Sequence, residues 1–400
     1  VLMLECLPQV PEDSILGLAA ACRADPNPRK VDLTLGVYMN EEGLCPVFDA
    51  IRLAQDALVQ AERTKVYMPP AGDPDFNSGM QQLVLGLGSP AVLDGRVSSI
   101  QTPGGCGALR IGAEIINAAA PGARVWVSDP TWPVHIPLLG SVGLQFATYR
   151  YYDPASHGVN FDALVEDLKG ARQGDVVLLH GCCHNPCGAD LSLEQWAEIA
   201  DMAQHQGFLP FVDIAYQGLG DGLDTDAAGL RLLVERLPEV LIAASCSKNM
   251  GLYRERTGAT LFVSANPASA AALRTQAQVA ARRIYSMPPA HGALLAARVL
   301  QDDELNANWR NELEAMCWRI NGLRTSLVSK LEQCTGRDFG FIEREKGMFS
   351  FLGLSAAQAL ALREQYSVYM LDSSRINVAG INGANIDYLA ESVGKVLQAG

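Results

Sequence analysis

Short apolar runs alternate with longer amphipathic segments between residues 97 and 264, and this alternation limits the fold more than any other feature. The apolar runs have the length of strands, and the segments between them carry apolar residues at helical spacing. Such alternation predicts an α/β fold, with a mainly parallel seven-stranded sheet covered by helices on both faces. The predicted strands are Val97–Thr102, Arg124–Ser128, Leu144–Tyr151, Val176–Leu179, Leu209–Asp213, Val240–Ala244 and Thr260–Ser264. The helical patterns between them include Gly107–Ala119, Leu193–His205 and Ala227–Leu237.

The pattern changes after about residue 302. A long helical pattern covers Asn306–Glu332, and a last one covers Ile386–Leu397. Between them lie short strand-like runs at Phe349–Leu352 and Arg375–Val378. This order predicts a smaller α+β domain, with which the opening residues pack. We therefore predict a large domain at residues 39–305 and a small domain formed by residues 1–38 and 306–400.

Composition and charge exclude several classes of function. The chain has 400 residues and a net charge of -13, which argues against nucleic acid or an anionic membrane as a partner. It has no apolar run of about 18 residues, the length that a membrane-spanning helix needs. Residues Val1–Leu7 lack the basic region of a signal peptide, and the ten scattered cysteines indicate a reducing compartment. We expect a cytoplasmic protein, and a removed organellar targeting segment remains an alternative.

Glycines and polar residues gather directly after several predicted strands, in the segments Gly104–Gly107, His180–Gly188, Asp213–Tyr216 and Ser245–Lys248. Parallel strands end at the same edge of a sheet, and ligands of α/β proteins bind at that edge. We therefore expect these four segments to line one site.

The glycine-rich segment opens a predicted helix, so its N–H groups suit a phosphate. A tight strand–helix turn is the plain alternative. A dinucleotide fingerprint would need other spacing than that of Gly105, Gly107 and Gly112.

Lys248 follows the apolar run that ends at Ala244, and this position is poor for a solvated cation. A lysine there can lose its proton and attack a carbonyl carbon. Ser245 and Arg256 flank it and suit a phosphate. The segment therefore predicts a lysine that bonds a phosphorylated aldehyde.

Asp213 and Tyr216 close another apolar run, and Asn185 lies in a His-Asn-Pro-Cys-Gly segment. A carboxylate such as Asp213 can pair with a protonated pyridine nitrogen, and Tyr216 and Asn185 can hydrogen-bond a phenolic oxygen. Together with Lys248 they predict a site for pyridoxal 5′-phosphate. Taken singly, the aspartate also fits a helix cap and the asparagine a turn.

Trp132 lies in an Asp-Pro-Thr-Trp-Pro segment and can stack on a cofactor ring, although a core tryptophan is the alternative. His135 and His180 can support Asp213 from behind, or serve as ordinary structural histidines.

A zinc site is a further alternative for Cys182, Cys183, His184 and Cys187. Adjacent cysteines in a strand would point to opposite faces, and a second ligand pair at a usual spacing is missing. We therefore predict no metal site.

Arg375 lies in an otherwise apolar strand-like run, where an unpaired guanidinium is costly. We expect an anionic partner for it. Arg282 and Arg283 precede Tyr285 and suit either a ligand or the solvent.

These segments resemble the aspartate aminotransferase family, of the pyridoxal-phosphate fold type I class, nearly from end to end. The resemblance rests on Leu35–Tyr38, Thr102–Arg110, His180–Gly188, Asp213–Gly218, Ser245–Gly258, Tyr285–His291, Gly347–Phe351 and Arg375–Gly380.

The resemblance implies that Lys248 bonds the cofactor and acts as general base, with Asp213 and Tyr216 as its catalytic companions. It implies cofactor contacts from Gly105, Cys106, Trp132, Asn185, Asp213, Tyr216, Ser245 and Arg256. The family is a homodimer with shared active sites, so Tyr67 would reach the cofactor phosphate of the other subunit.

For the substrate, the resemblance implies that Arg375 grips the α-carboxylate and that Arg282 grips the distal carboxylate across the subunit boundary. The residues implied to border the substrate are Gly36, Trp132, Asn185 and Phe349.

The chain departs from the family pattern at five positions. Cys106 replaces a threonine of the phosphate loop, Met287 and Val66 replace positions that are often asparagine, and Met39 and Cys45 replace lysine and threonine at the pocket entrance. Each change makes the pocket less polar, and methionine adapts its shape to different ligands. Larger apolar or aromatic side chains are therefore expected among the substrates.

The resulting prediction is an aminotransferase that moves an amino group from aspartate, with glutamate and aromatic amino acids as further candidate donors, to 2-oxoglutarate or oxaloacetate in a ping-pong cycle. A broad-specificity or aromatic amino acid aminotransferase is the nearest alternative. The competing classes are a nicotinamide-dependent dehydrogenase, a related lyase or decarboxylase, and a non-catalytic binding protein.

Overall fold

The computed structural model describes residues 2–11 and 13–399. Val1, Glu12 and Gly400 belong to the predicted small domain and lie outside the described residues. The strands are β1 (Val31–Asp32), β2 (Val97–Pro103), β3 (Arg124–Asp129), β4 (Gln145–Arg150), β5 (Tyr152–Asp153), β6 (Gly158–Val159), β7 (Val176–His180), β8 (Leu209–Ile214), β9 (Val240–Ser245), β10 (Thr257–Val263), β11 (Phe349–Phe351), β12 (Val368–Tyr369) and β13 (Arg375–Asn377).

The helices lie between and after these strands. They are α1 (Ser14–Ala24), α2 (Asp49–Ala61), α3 (Pro74–Leu85), α4 (Pro90–Leu93), α5 (Gly104–Ala119), α6 (His135–Gly140), α7 (Phe161–Leu168), α8 (Leu193–Gln206), α9 (Leu223–Asp226), α10 (Ala228–Arg236), α11 (Pro267–Ile284), α12 (Ala290–Gln301), α13 (Asp303–Thr335), α14 (Phe341–Arg344), α15 (Ala356–Tyr366) and α16 (Ile386–Ala399). Short 3-10 turns cover Met3–Cys6 and Val378–Gly380.

The central sheet has seven strands in the order β2-β10-β9-β8-β7-β3-β4. Strand β10 is antiparallel to both of its neighbours, and the other pairs are parallel. Every residue of β9 and β10 is buried, as expected for strands covered on both faces. The predicted α/β fold with a mainly parallel seven-stranded sheet is therefore confirmed.

The helices that cover the sheet have clear local causes. Ser192 and Gln195 form a capping box at the start of α8, and the side chain of Asp302 accepts two N–H groups at the start of α13. Helix α5 packs so closely on the sheet that a Cβ on Gly112 would lie 2.5 Å from Cζ of Phe211. This approach places the first turn of α5 at the carboxyl edge of the sheet.

The chain after α12 forms a second group of elements. Helix α13 packs against α16, and β11 pairs antiparallel with β13. Strand β1 pairs parallel with β12, so the opening residues do contact this part of the chain. The long helix begins at Asp303, three residues before its predicted start, because the Asp302 cap lies there.

Candidate active site

A cavity of about 260 Å³ opens at the carboxyl edge of the central sheet. All four of the polar segments that follow strands contribute to its walls. The lining residues are Gly105, Cys106, Leu109, Trp132, His180, Cys182, Asn185, Asp213, Ala215, Tyr216, Ser245, Ser247, Lys248 and Arg256. The fold therefore brings together most of the site residues predicted from sequence.

Lys248 faces the ring of Tyr216, with Nζ 4.7 Å from the ring centroid. Burial lowers the pKa of Lys248 below its usual value, and the carboxylate of Asp213 opposes this shift. Burial also raises the pKa of Tyr216, so its phenol keeps its proton and can donate it. The site thus holds a lysine that deprotonates more readily than a surface lysine.

Asp213 lies near the end of β8 and is held from behind by histidine. Nε2 of His135 lies 2.9 Å from Oδ2 of Asp213, and Nδ1 of His135 lies 2.8 Å from Oγ1 of Thr131. Thr131 in turn lies 3.0 Å from Nε2 of His180, whose pKa falls to about 3 because it is buried. His135 therefore contacts Asp213 directly, as one interpretation of the sequence predicted, whereas His180 reaches it only through Thr131 and His135. Sequence reasoning missed the bridging Thr131, although it neighbours Trp132.

The glycine-rich turn and Arg256 form the opposite end of the cavity. Gly104 has φ of 67°, and a Cβ there would lie 2.5 Å from Nη2 of Arg256, so the backbone approaches the guanidinium closely. Oγ of Ser245 donates to Oγ of Ser247 at 2.9 Å, and Nη1 of Arg256 lies 3.5 Å from Oγ of Ser247. Sequence reasoning did not select Ser247, although it directly precedes the lysine. These N–H, hydroxyl and guanidinium donors suit a phosphate.

Cys106 and Trp132 lie on the same walls. Burial raises the pKa of the Cys106 thiol, which therefore stays neutral beside Arg256. The Trp132 ring meets His135 edge to face, with 5.3 Å between centroids. Both residues thus lie where the sequence predicted a phosphate loop and a stacking ring.

Arg375 is buried and lies beside the cavity residue Asn185. It donates to the carbonyl oxygen of Thr34, and Nη1 lies 3.5 Å from Oδ1 of Asn185. Burial lowers its pKa to about 10, while its Nε has no hydrogen-bond partner. Among the described residues no carboxylate lies within 4.0 Å of it. This guanidinium therefore lacks an anionic partner among the described residues.

Phe349 packs directly against this arginine, and Gly36 packs against Phe349. The Phe349 ring centroid is 4.3 Å from Cζ of Arg375, and a Cβ on Gly36 would lie 2.7 Å from Cζ of Phe349. Phe349 also lies close to the cavity, because its ring meets that of the cavity residue Tyr216 edge to face, with 5.9 Å between the ring centroids. Glycine at position 36 is what allows the ring to lie there.

Arg282 and Tyr67 lie outside the cavity. Tyr67 is 88% exposed, and Arg282 is exposed at the end of α11, where it bonds Ser286. Its neighbour Arg283 forms an ion pair with Glu114 at 2.6 Å. Within one chain, these two predicted ligand residues do not reach the site.

The structure corrects one argument about the cysteines. Strand β7 ends at His180, so Cys182 and Cys183 lie in a loop and not in a strand. The φ of Cys183 is 52°, and both thiols lie within 4.8 Å of a carboxylate oxygen of Asp226. That carboxylate already accepts N–H groups from Gly218, Gly220 and Asp221. Three donors, one of them engaged, do not make the four-coordinate site that zinc prefers.

Comparison with known proteins decides the family. The family model "Aminotransferase class I and II" matches residues 28–393. The chain belongs to this aminotransferase family. The aromatic-amino-acid aminotransferase of Paracoccus denitrificans is 46% identical over 387 residues, covering 96% of this chain and 97% of the relative. The aspartate aminotransferase of Escherichia coli is 44% identical and covers 99% of this chain and 100% of the relative.

A solved structure of an aminotransferase supports the same family assignment as these two relatives. The aromatic-amino-acid aminotransferase of Burkholderia pseudomallei, covalently bound to pyridoxal phosphate, superposes with a TM-score of 0.97 at 40% identity. The superposition covers 99% of this chain and 100% of that one. The predicted resemblance, fold type I architecture and pyridoxal-phosphate-dependent transaminase activity are thereby confirmed. As a separate finding, none of the described helices is long and apolar enough to cross a membrane.

Proposed function

We propose that this aminotransferase moves amino groups from aspartate, glutamate or aromatic amino acids to 2-oxoglutarate or oxaloacetate. The single observation that carries the proposal is the buried Arg375, which lacks a carboxylate partner among the described residues and lies beside the cavity that holds Lys248. A desolvated guanidinium next to a reactive amine suits a substrate that carries both an α-carboxylate and an α-amino group.

The residues of the cavity fit pyridoxal phosphate. The N–H groups of Gly105 and Cys106, the hydroxyl of Ser245 and the guanidinium of Arg256 would hold its phosphate. Asp213 would face its ring nitrogen, while Tyr216 and Asn185 would hydrogen-bond its phenolic oxygen and Trp132 would cover the ring. When bound, the cofactor supplies an aldehyde for an amine and a ring that withdraws electrons from the substrate α-carbon.

Lys248 is the proton carrier in this proposal. Because burial lowers its pKa, Nζ is available as a base once the substrate amine has displaced it. It would take the proton from the substrate α-carbon in the first half of the cycle and return a proton there in the second half. Asp213, held by its 2.9 Å contact with His135, would face the ring nitrogen.

The substrate range would follow from the less polar residues at positions that the family resemblance assigns to the pocket entrance. Met287 accepts a hydrogen bond from the backbone of Met68 at 3.1 Å, which fixes its thioether beside Val66 and Tyr67. Together with Met39 and Cys45, these side chains would leave room for aromatic substrates. The named relatives, which are both aspartate and aromatic-amino-acid aminotransferases, support this dual range.

A homodimer completes the proposed site. Arg282 and Tyr67 are exposed and outside the cavity of their own chain, so they are free to serve the site of a second copy. Arg282 would grip the distal carboxylate, and Tyr67 would contact the cofactor phosphate. Gly36 and Phe349 would border the substrate.

The proposal includes the domain division and the location of the protein. Residues 39–305 would form the large cofactor-binding domain, and residues 1–38 and 306–400 the small domain that carries Arg375. The pairing of β1 with β12 supports this division. The ten cysteines are all free, which supports a reducing compartment such as the cytoplasm.

Lys248→Ala provides the test. Borohydride should fix the cofactor to residue 248 of the native chain, and Lys248→Ala should abolish turnover of aspartate and phenylalanine while the fold persists. Lys330→Ala, which removes a surface lysine paired with Asp387, is the matched control and should keep full activity. Near-normal turnover in Lys248→Ala would refute the assignment.

A further inference from the structure

Three buried polar side chains, Ser128, His184 and Cys187, form a line that connects the loop that carries Trp132 with the loop that carries Asn185. Ser128 lies in β3, two residues before Pro130, while His184 and Cys187 flank Asn185 in the loop after β7. These three side chains are each at most 2% exposed. None of the three lines the cavity itself, so the proposed catalytic cycle does not use them.

The contacts in this line determine where its protons lie. Oγ of Ser128 is 2.8 Å from the carbonyl oxygen of Pro130, which can only accept, so the serine hydroxyl must donate to it. The hydroxyl has a single proton, so its 3.0 Å contact with Nε2 of His184 must carry the proton of the imidazole.

The remaining nitrogen of His184 is then fixed as an acceptor. Burial lowers the pKa of His184 well below its usual value, so the ring is neutral and carries one proton. With that proton on Nε2, Nδ1 must accept, and Sγ of Cys187 lies 3.2 Å from it. Burial raises the pKa of Cys187 well above its usual value, so the thiol keeps its proton. Nδ1 of His184 at 3.2 Å is a much nearer acceptor for this proton than the carbonyl oxygen of Ala189, which lies 3.9 Å from Sγ.

The imidazole at the centre of this line has little freedom to turn. It stacks on Tyr151 at 4.2 Å and on His180 at 3.9 Å between ring centroids. The backbone N–H of His184 also donates to Asp190 at 2.9 Å. A ring flip would bring the N–H of the imidazole against the donating thiol of Cys187, and its bare nitrogen against the accepting oxygen of Ser128, and a buried site resists both contacts.

We propose that Cys187, His184 and Ser128 are positioning residues, whose one-way hydrogen-bond chain holds the loop of Asn185 at a fixed distance from the loop of Trp132. This inference rests on the proposed function and deepens it, because Asn185 in one loop would contact the phenolic oxygen of the cofactor and Trp132 in the other would cover its ring. Loss of the thiol proton would leave Nδ1 of His184 buried without a donor and free the loop to shift.

Neutron diffraction of the deuterated full-length protein tests the proton assignment directly. We expect deuterium on Nε2 of His184 and on Sγ of Cys187. Deuterium on Nδ1 would overturn the proposal, whatever the protein catalyses. Because this measurement needs no substrate, it also separates the chain of hydrogen bonds from the proposed function.

Binding of pyridoxal phosphate to the cofactor-stripped full chain tests the positioning role. Cys187→Ala and Ser128→Ala should each raise Kd on the order of tenfold, the loss expected for one buried hydrogen bond and its orphaned partner. The double variant should bind no worse than the weaker-binding single variant, because both break the same chain. Cys187→Ser restores a donor and should bind within about twofold of the native chain.

Cys317→Ala is the matched control, since Cys317 is a buried thiol that donates to the carbonyl oxygen of Gly220 outside the cavity. It should lower the melting temperature about as much as Cys187→Ala but leave Kd unchanged. Equal Kd values for Cys187→Ala and Cys317→Ala would overturn the positioning role. If the native chain itself fails to bind pyridoxal phosphate, the proposed function falls, and the neutron result still decides the chain.

Discussion

Gly36→Ala should damage substrate binding through Phe349. A Cβ at position 36 would lie 2.7 Å from Cζ and 3.4 Å from Cε1 of the Phe349 ring. Ordinary carbon contacts need about 3.5–4.0 Å, so the ring tip must retreat by about 1 Å. It has little space for this, because Phe349 is 2% exposed and packs on Arg375.

The expected loss follows from this displacement. Overpacking a dense site costs about 1–3 kcal/mol, and a 1 Å shift of a positioning group can cost about 10²-fold in rate. We therefore expect kcat/KM to fall about 10- to 100-fold, equal to about 1.4–2.7 kcal/mol. Most of the loss should appear as a higher KM, because Arg375 is proposed to hold the α-carboxylate in every bound state.

Steady-state kinetics with aspartate and phenylalanine would measure the change. Gly322→Ala is the control, since a Cβ there meets nothing within 4 Å, and its kcat/KM should match the native enzyme. Phe349→Leu removes the ring that the new Cβ would contact. Gly36→Ala should therefore lower kcat/KM less in the Phe349→Leu background than in the native chain. A native kcat/KM in Gly36→Ala, or equal costs in both backgrounds, would refute the reasoning.

Two further predictions concern charge. Arg282→Ala should reduce kcat/KM for aspartate much more than for phenylalanine, because only aspartate offers a distal carboxylate. Arg283→Ala, whose residue is paired with Glu114, should spare both substrates, and equal losses for both substrates in Arg282→Ala would contradict the assignment. Burial raises the pKa of Glu345 to about 8 from its ordinary value of 4.5, so the folded chain binds a proton that the unfolded chain releases between these pH values. Stability from this group therefore falls as pH rises through that window, and Glu345→Gln should flatten the fall in urea midpoints, whereas an unchanged slope would count against it.

The main parts of the site could be predicted from sequence because they are local to strand ends. Lys248 and Asp213 each follow a fully apolar run, and parallel strands must present such residues at one edge. Strand β1 was not predicted, since two residues give no periodicity and its pairing with β12 spans most of the chain. The loop position of Cys183 was missed because its backbone conformation depends on contacts distant in sequence.

Contacts distant in sequence matter most around Arg375. Its neighbours come from three separate parts of the chain: the carbonyl of Thr34, the amide of Asn185 and the ring of Phe349. None of these groups carries a negative charge, so the folded protein bears the cost of a desolvated cation. In the proposed function that cost would be recovered when a carboxylate binds, because the same burial that lowers the pKa of Arg375 to about 10 would strengthen its pairing with an anion. On this proposal the buried arginine would give up some stability of the unliganded fold in favour of substrate affinity, which is the balance expected of a binding site and not of a structural ion pair.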